Sequence, residues 1–145
     1  MFNPSRKEAR QFFFDAWRKH RDGQPLTPLE SITLDVELMH PEYHAILEDA
    51  EKYLDRDYLP ELGETNPFLH MSMHLAINEQ LSIDQPPGIK SSFDALCVKY
   101  GDTHDALHQV MDCLAEMVWH AQKSGVTPDG REYLACLKKK AGMSR

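Results

Sequence analysis

Four times along this chain a small polar residue is followed directly by proline: Asn3–Pro4, Thr27–Pro28, Asn66–Pro67 and Thr127–Pro128. Such pairs start helices. The polar side chain caps backbone N–H groups that lack an intrahelical acceptor, and proline at the first helical position gives up no hydrogen bond. Between these starts lie the stops: Gly23 and Pro25, Pro41, Pro60 and Gly63, Gly101 and Gly125. No stretch of useful length alternates apolar and polar residues, as a half-buried strand would.

This punctuation predicts an all-α, single-domain helical bundle of about six or seven helices spanning residues 1–145. The segments run from Asn3–Pro4 to about Arg21, from Thr27–Pro28 to about Met39, and through His44 to about Leu54. After an irregular loop over 55–65 they continue from Asn66–Pro67 to about Leu81 and from Ile89 to Tyr100. The longest runs from an Asp102 cap to Ser124, and the last follows Thr127–Pro128 to about Ala141. Asp84-Gln85-Pro86-Pro87-Gly88 reads as a rigid turn. Short connections favour antiparallel neighbours. At 145 residues the chain can bury a core without staples.

With 16 basic and 23 acidic residues the net charge is −7, which argues against nucleic acid as a partner. Lys138–Lys139–Lys140 closes the last helix, where it complements the negative helix end. No apolar run is long enough to cross a membrane, and the N-terminal residues do not resemble a signal peptide, so a cytoplasmic location is expected. Cys97, Cys113 and Cys136 are odd in number and widely spaced, which favours reduced, buried thiols. Trp17, Trp119 and Phe12–Phe13–Phe14 are expected to fill core or interhelical grooves. Three consecutive rings point in too many directions for one face, so one is left for a homodimer contact.

Six of the 8 histidines fall into pairs four residues apart: His40/His44, His70/His74 and His104/His108. Residues four apart lie on one helix face, so each pair can offer two imidazoles to one ion. Three pairs on three segments can converge in a bundle core, where such sites are built. His70 and His74 fall on the apolar stripe with Met73, Ile77 and Leu81, facing inward. His104 sits at the edge of the apolar face of its helix, about 80° round. His108 turns further out, and Asp112 and Glu116 continue the row. Pro41 draws the backbone at His40 away from ideal helix; Glu37 lies three residues before His40 and Glu48 four after His44.

The candidate metal ligands are therefore His70, His74, His104, His108, His40 and His44, with Asp112, Glu48, Glu37 and Glu116 as carboxylates. Iron, zinc and manganese are the ions such donors suit. His20 and His120 read as surface or cap residues, and Glu79 lies opposite His70. No nucleophile elbow, phosphate loop or dinucleotide fingerprint is present, and no residue identifies a substrate or a reaction. The competing readings are a non-enzymatic protein-interaction module, with histidines hydrogen-bonded to carboxylates, and a pH-responsive protein.

The segments His40-Pro41-Glu42-Tyr43-His44, Asn66-Pro67-Phe68-Leu69-His70, His74 to Gln80 and Asp84 to Ile89 resemble the bacterial family known as domain of unknown function 1841. The likeness extends through Glu116 to Gln122 and Pro128 to Leu137. It implies a stand-alone, cytoplasmic bacterial protein and carries no activity with it. More loosely, His44-x3-Glu48 and His70-x3-His74 are similar to elements of hemerythrin-like di-iron bundles. The usual closing element, a histidine followed five residues later by aspartate, is absent: Asp112 follows His108 by four.

Overall fold

The computed structural model describes residues 6–58 and 65–143. The helix start at Asn3–Pro4 and the part of the 55–65 loop that holds Pro60 and Gly63 lie outside the described residues. Among the described residues the chain is all-α, with no strand. Its helices are α1 (Arg6–Arg21), α2 (Pro28–Leu38), α3 (His44–Leu47), α4 (Ala50–Tyr53), α5 (Pro67–Ile83), α6 (Ile89–Tyr100), α7 (Thr103–Ser124) and α8 (Gly130–Ala141), with a 3-10 turn at Pro41–Tyr43. They form two compact units, Met1–Leu75 and Ala76–Arg145, and the division falls inside α5.

In the first unit, Thr27 caps α2 as the sequence predicts. Its side chain accepts from the Glu30 N–H while Glu30 returns a bond to the Thr27 N–H, a reciprocal capping box. Lys19 Nζ reaches both Glu30 carboxylate oxygens, at 3.1 and 2.8 Å, and ties α1 to the start of α2. Phe13, Phe14, Trp17, Val36, Leu47, Phe68 and Met71 form the core. Phe14 and Phe68 meet at 5.5 Å between centroids. Burying each such ring contributes about 1.5–3 kcal/mol. Phe12 is the ring left half-buried, on the wall of a shallow apolar groove with Leu29 and Leu75.

The segment expected as one helix through His44 is broken. A 3-10 turn leads into α3, and α4 restarts where the Asp49 side chain caps the Lys52 N–H. Among the described residues the break leaves eight α-helices where about six or seven were expected. The physical reason is Asp49 itself, which satisfies a helix start more readily than a helix interior.

The second unit packs α6, α7 and α8 mutually, around Ile89, Leu96, Leu107, Val110, Leu114, Tyr133 and Leu137. The Asp84 side chain accepts from the Gly88 and Lys90 N–H groups, and Asp84 and Gly88 both adopt positive φ, which together shape the turn before α6. α8 follows Thr127–Pro128 as expected, and the Asp129 side chain caps it. Tyr133 is buried, and its hydroxyl donates to Gln80 Oε1 at 2.7 Å.

Two expectations fail in this unit. Cys113 and Cys136 are not reduced thiols; they form a disulfide between α7 and α8, with Cα atoms 5.8 Å apart. Only Cys97 is free. The 23-residue separation hides the pairing from any local spacing rule, because helix packing rather than sequence proximity brings the two together. Trp119 is 55% exposed rather than in a core. It lies about 120° round α7 from Leu107, and the Lys123 ammonium sits 4.8 Å from its ring centroid.

Candidate metal centre

His40 stands just past the end of α2, at φ −125° and ψ 69°. The following Pro41 disfavours helical geometry there, so α2 stops and the ring is turned back along it. Its Nδ1 lies 2.7 Å from the Val36 carbonyl oxygen, one turn earlier. A carbonyl only accepts, so Nδ1 carries the proton and the Nε2 of the neutral ring carries the lone pair. This is the outer-sphere arrangement that orients histidine ligands in metal sites. The Tyr43 ring stacks on His40 with centroids 5.2 Å apart and planes within 10°.

The pair on α5 meets that ring. His70 Nε2 is 3.2 Å from His40 Nε2. The His74 ring centroid is 4.7 Å from that of His40 and 4.9 Å from that of His70. His40 and His74 are 1% and 0% exposed, and His70 is half-buried. The inward orientation inferred for the α5 pair is thus what the helix shows. Each of His40 and His74 offers a ring nitrogen within 4.8 Å of the other. One member of the first sequence pair and both members of the second come together inside one unit.

His44 faces elsewhere. Its Nε2–H donates to the Glu37 carbonyl oxygen at 2.9 Å, and its ring lies 4.5 Å from the Trp17 ring. Glu48 accepts from Trp17 Nε1 at 2.7 Å and pairs with Arg21. Trp17, His44, Glu48 and Arg21 thereby bind α1 to α3. Glu37 is fully buried, and among the described residues neither of its carboxylate oxygens has a hydrogen-bond partner. Burial pushes its carboxyl up to about 8.

In the second unit His104 and His108, both half-buried, sit one turn apart on α7 with ring centroids 4.4 Å apart and planes tilted by 49°. They too offer ring nitrogens within 4.8 Å of each other. Asp112 is exposed, 4.0 Å from Lys140 Nζ. Glu116 is exposed and borders the cavity beside the disulfide. Among the described residues no carboxylate oxygen belongs to the histidine groups. His120 pairs with Glu132 of α8. The orienting Val36 carbonyl carries no sequence signal. Tyr43 carries one, an aromatic residue set between two histidines.

The sequence profile of the family described as domain of unknown function (DUF1841) matches residues 5–139. No curated protein and no solved structure matches the chain.

Proposed function

We propose that this chain, which belongs to the DUF1841 family, binds a divalent transition metal through histidines. The ligands assigned are His40, His70 and His74 in the first unit and His104 and His108 in the second. The observation that carries the reading is His40: its Nδ1 is committed to Val36 and its Nε2 is turned to His70, with His74 beside both. A donor set of imidazoles suits zinc or iron better than manganese, which favours oxygen. Burial of His40 and His74 adds to the case, since shielded imidazoles hold an ion against competing water. When bound, such an ion acts as a Lewis acid or fixes the fold, according to whether a coordination position stays open.

The test is metal analysis of protein purified without a polyhistidine tag. Near-stoichiometric zinc or iron is expected, lost in His40→Ala and in His70→Ala while helix content by circular dichroism holds. The number of ions per chain, and its response to His104→Ala with His108→Ala, shows how many ions the two histidine sets serve. Metal content unchanged in the His40 and His70 variants overturns the reading. So does a metal-free protein whose stability does not respond to added zinc or ferrous ion.

A further inference from the structure

The disulfide lies at the edge of a cavity. A surface cavity of about 210 Å³ between α7 and α8 is lined by both sulfur-bearing residues together with Glu116, Met117, Glu132 and Lys139. The two cysteines are not equally placed on its wall: Cys113 is 1% exposed, whereas Cys136 is only partly buried. The rim is open, since Glu116 and Lys139 are exposed. Lys139 lies one helical turn beyond Cys136 on α8, so a cation borders the more accessible sulfur. Of the two rim carboxylates, Glu132 is already paired with His120. A cation at the rim attracts an incoming thiolate, and access selects the sulfur that it attacks.

We propose that Cys113–Cys136 is a reversible thiol–disulfide exchange site for low-molecular-weight thiols, with Cys136 as the sulfur attacked from the cavity and Cys113 as the resolving thiol. A thiolate entering the cavity forms a bond to Cys136 Sγ. The Sγ–Sγ bond breaks, and its electron pair leaves on Cys113 Sγ, which takes a proton. A second thiolate then attacks the adduct sulfur and releases Cys136 as a thiol. The protein gains two electrons and two protons, and two small thiols leave joined as a disulfide. In reverse, Cys113 displaces the small thiol from Cys136 and closes the bridge between α7 and α8. Cys97 takes no part. Burial pushes its thiol up, the largest effect on it, which leaves it a poor nucleophile at neutral pH.

The full chain, isolated without reductant, is mixed with reduced glutathione, quenched in acid, alkylated with N-ethylmaleimide and mapped by peptide mass spectrometry. The glutathione adduct is expected on Cys136 in about tenfold excess over Cys113, following access to the two sulfurs. Cys113→Ser, lacking the resolving thiol, accumulates the Cys136 adduct with oxidised glutathione, while Cys136→Ser leaves Cys113 largely unmodified. If either variant loses its helix content, the wild-type peptide map alone decides. Equal adducts on both sulfurs, or a preference for Cys113, overturn the proposal. So does a bridge that millimolar dithiothreitol opens only in denaturant, or a chain isolated with three free thiols that mild oxidation fails to bridge.

Discussion

The Nε2 atoms of His40 and His70 lie 3.2 Å apart, while the other nitrogen of His40 is held by the Val36 carbonyl. In the neutral pair the hydrogen between the two Nε2 atoms therefore belongs to His70. An ion taken up at His70 Nε2 must move that hydrogen to Nδ1, and it competes with protons for all of these rings, since only an unprotonated nitrogen can ligate. Zinc is therefore expected to bind more weakly as pH falls, with protons released on binding in acid rather than at alkaline pH. Calorimetric titration at about pH 6 and about pH 8, in buffers of different ionisation enthalpy, measures both. Equal affinity at the two pH values, with no proton release at the lower one, contradicts ligation by these rings.

His44 separates ligand from framework. Its Nε2–H is spent on the Glu37 carbonyl and its ring packs on Trp17. His44→Ala is expected to retain the metal content of the wild type while losing about 1–3 kcal/mol of stability. Urea unfolding followed by Trp fluorescence, beside metal analysis, reads both. Loss of metal with unchanged stability would make His44 a ligand after all.

These two histidines also show how far the sequence could be read. The helix boundaries were legible because their signals are local: a cap at Thr27, a proline after it, a glycine at 125. The inward face of His74 followed from the helical period of its apolar neighbours. The sorting of His40 from His44 was not legible. It depends on where Pro41 stops α2 and on whether a carbonyl or an indole stands opposite each ring, and those are three-dimensional facts. The carboxylates illustrate the same limit. Glu48 has ligand-like spacing from His44, yet Trp17 and Arg21, both on another helix, engage it. The Cys113–Cys136 bridge is invisible for the same reason: α7 and α8 must pack before the two residues become neighbours.

Arg10 is a buried charge whose side-chain hydrogen bonds, among the described residues, go to backbone carbonyls. Only 3% exposed, it donates through Nη1 to the carbonyl oxygens of Tyr53, Leu54 and Arg56, at 3.2, 3.2 and 2.7 Å. Its guanidinium carbon also lies 4.7 Å from the Phe68 ring centroid. It holds the end of α4 against α1. Arg10→Ala leaves those carbonyls without their donor and is expected to cost about 3 kcal/mol. Arg10→Lys is expected to recover less than half of that, because an ammonium lacks the planar fork that both bonds and stacks. Equal stability of the lysine variant and wild type in denaturant titration would refute the assignment.

Glu37 makes stability depend on pH in the direction opposite to a salt-bridged acid. Burial raises its carboxyl in the folded chain from 4.5 to about 8. Below the lower value both the folded and unfolded chains hold the proton, and the residue contributes no pH dependence. Between the two values only the folded chain holds it, so the unfolded state binds fewer protons and stability falls as pH rises. Above about pH 8 the cost is constant, on the order of 3–5 kcal/mol at most. Glu37→Gln cannot ionise. In chelator-treated protein it is expected to flatten the decline between about pH 5 and pH 8 and to exceed the wild type in stability at the alkaline end. Urea midpoints across that range decide the matter. Parallel slopes for the two proteins would mean that the Glu37 carboxyl ionises in the folded state as readily as in water.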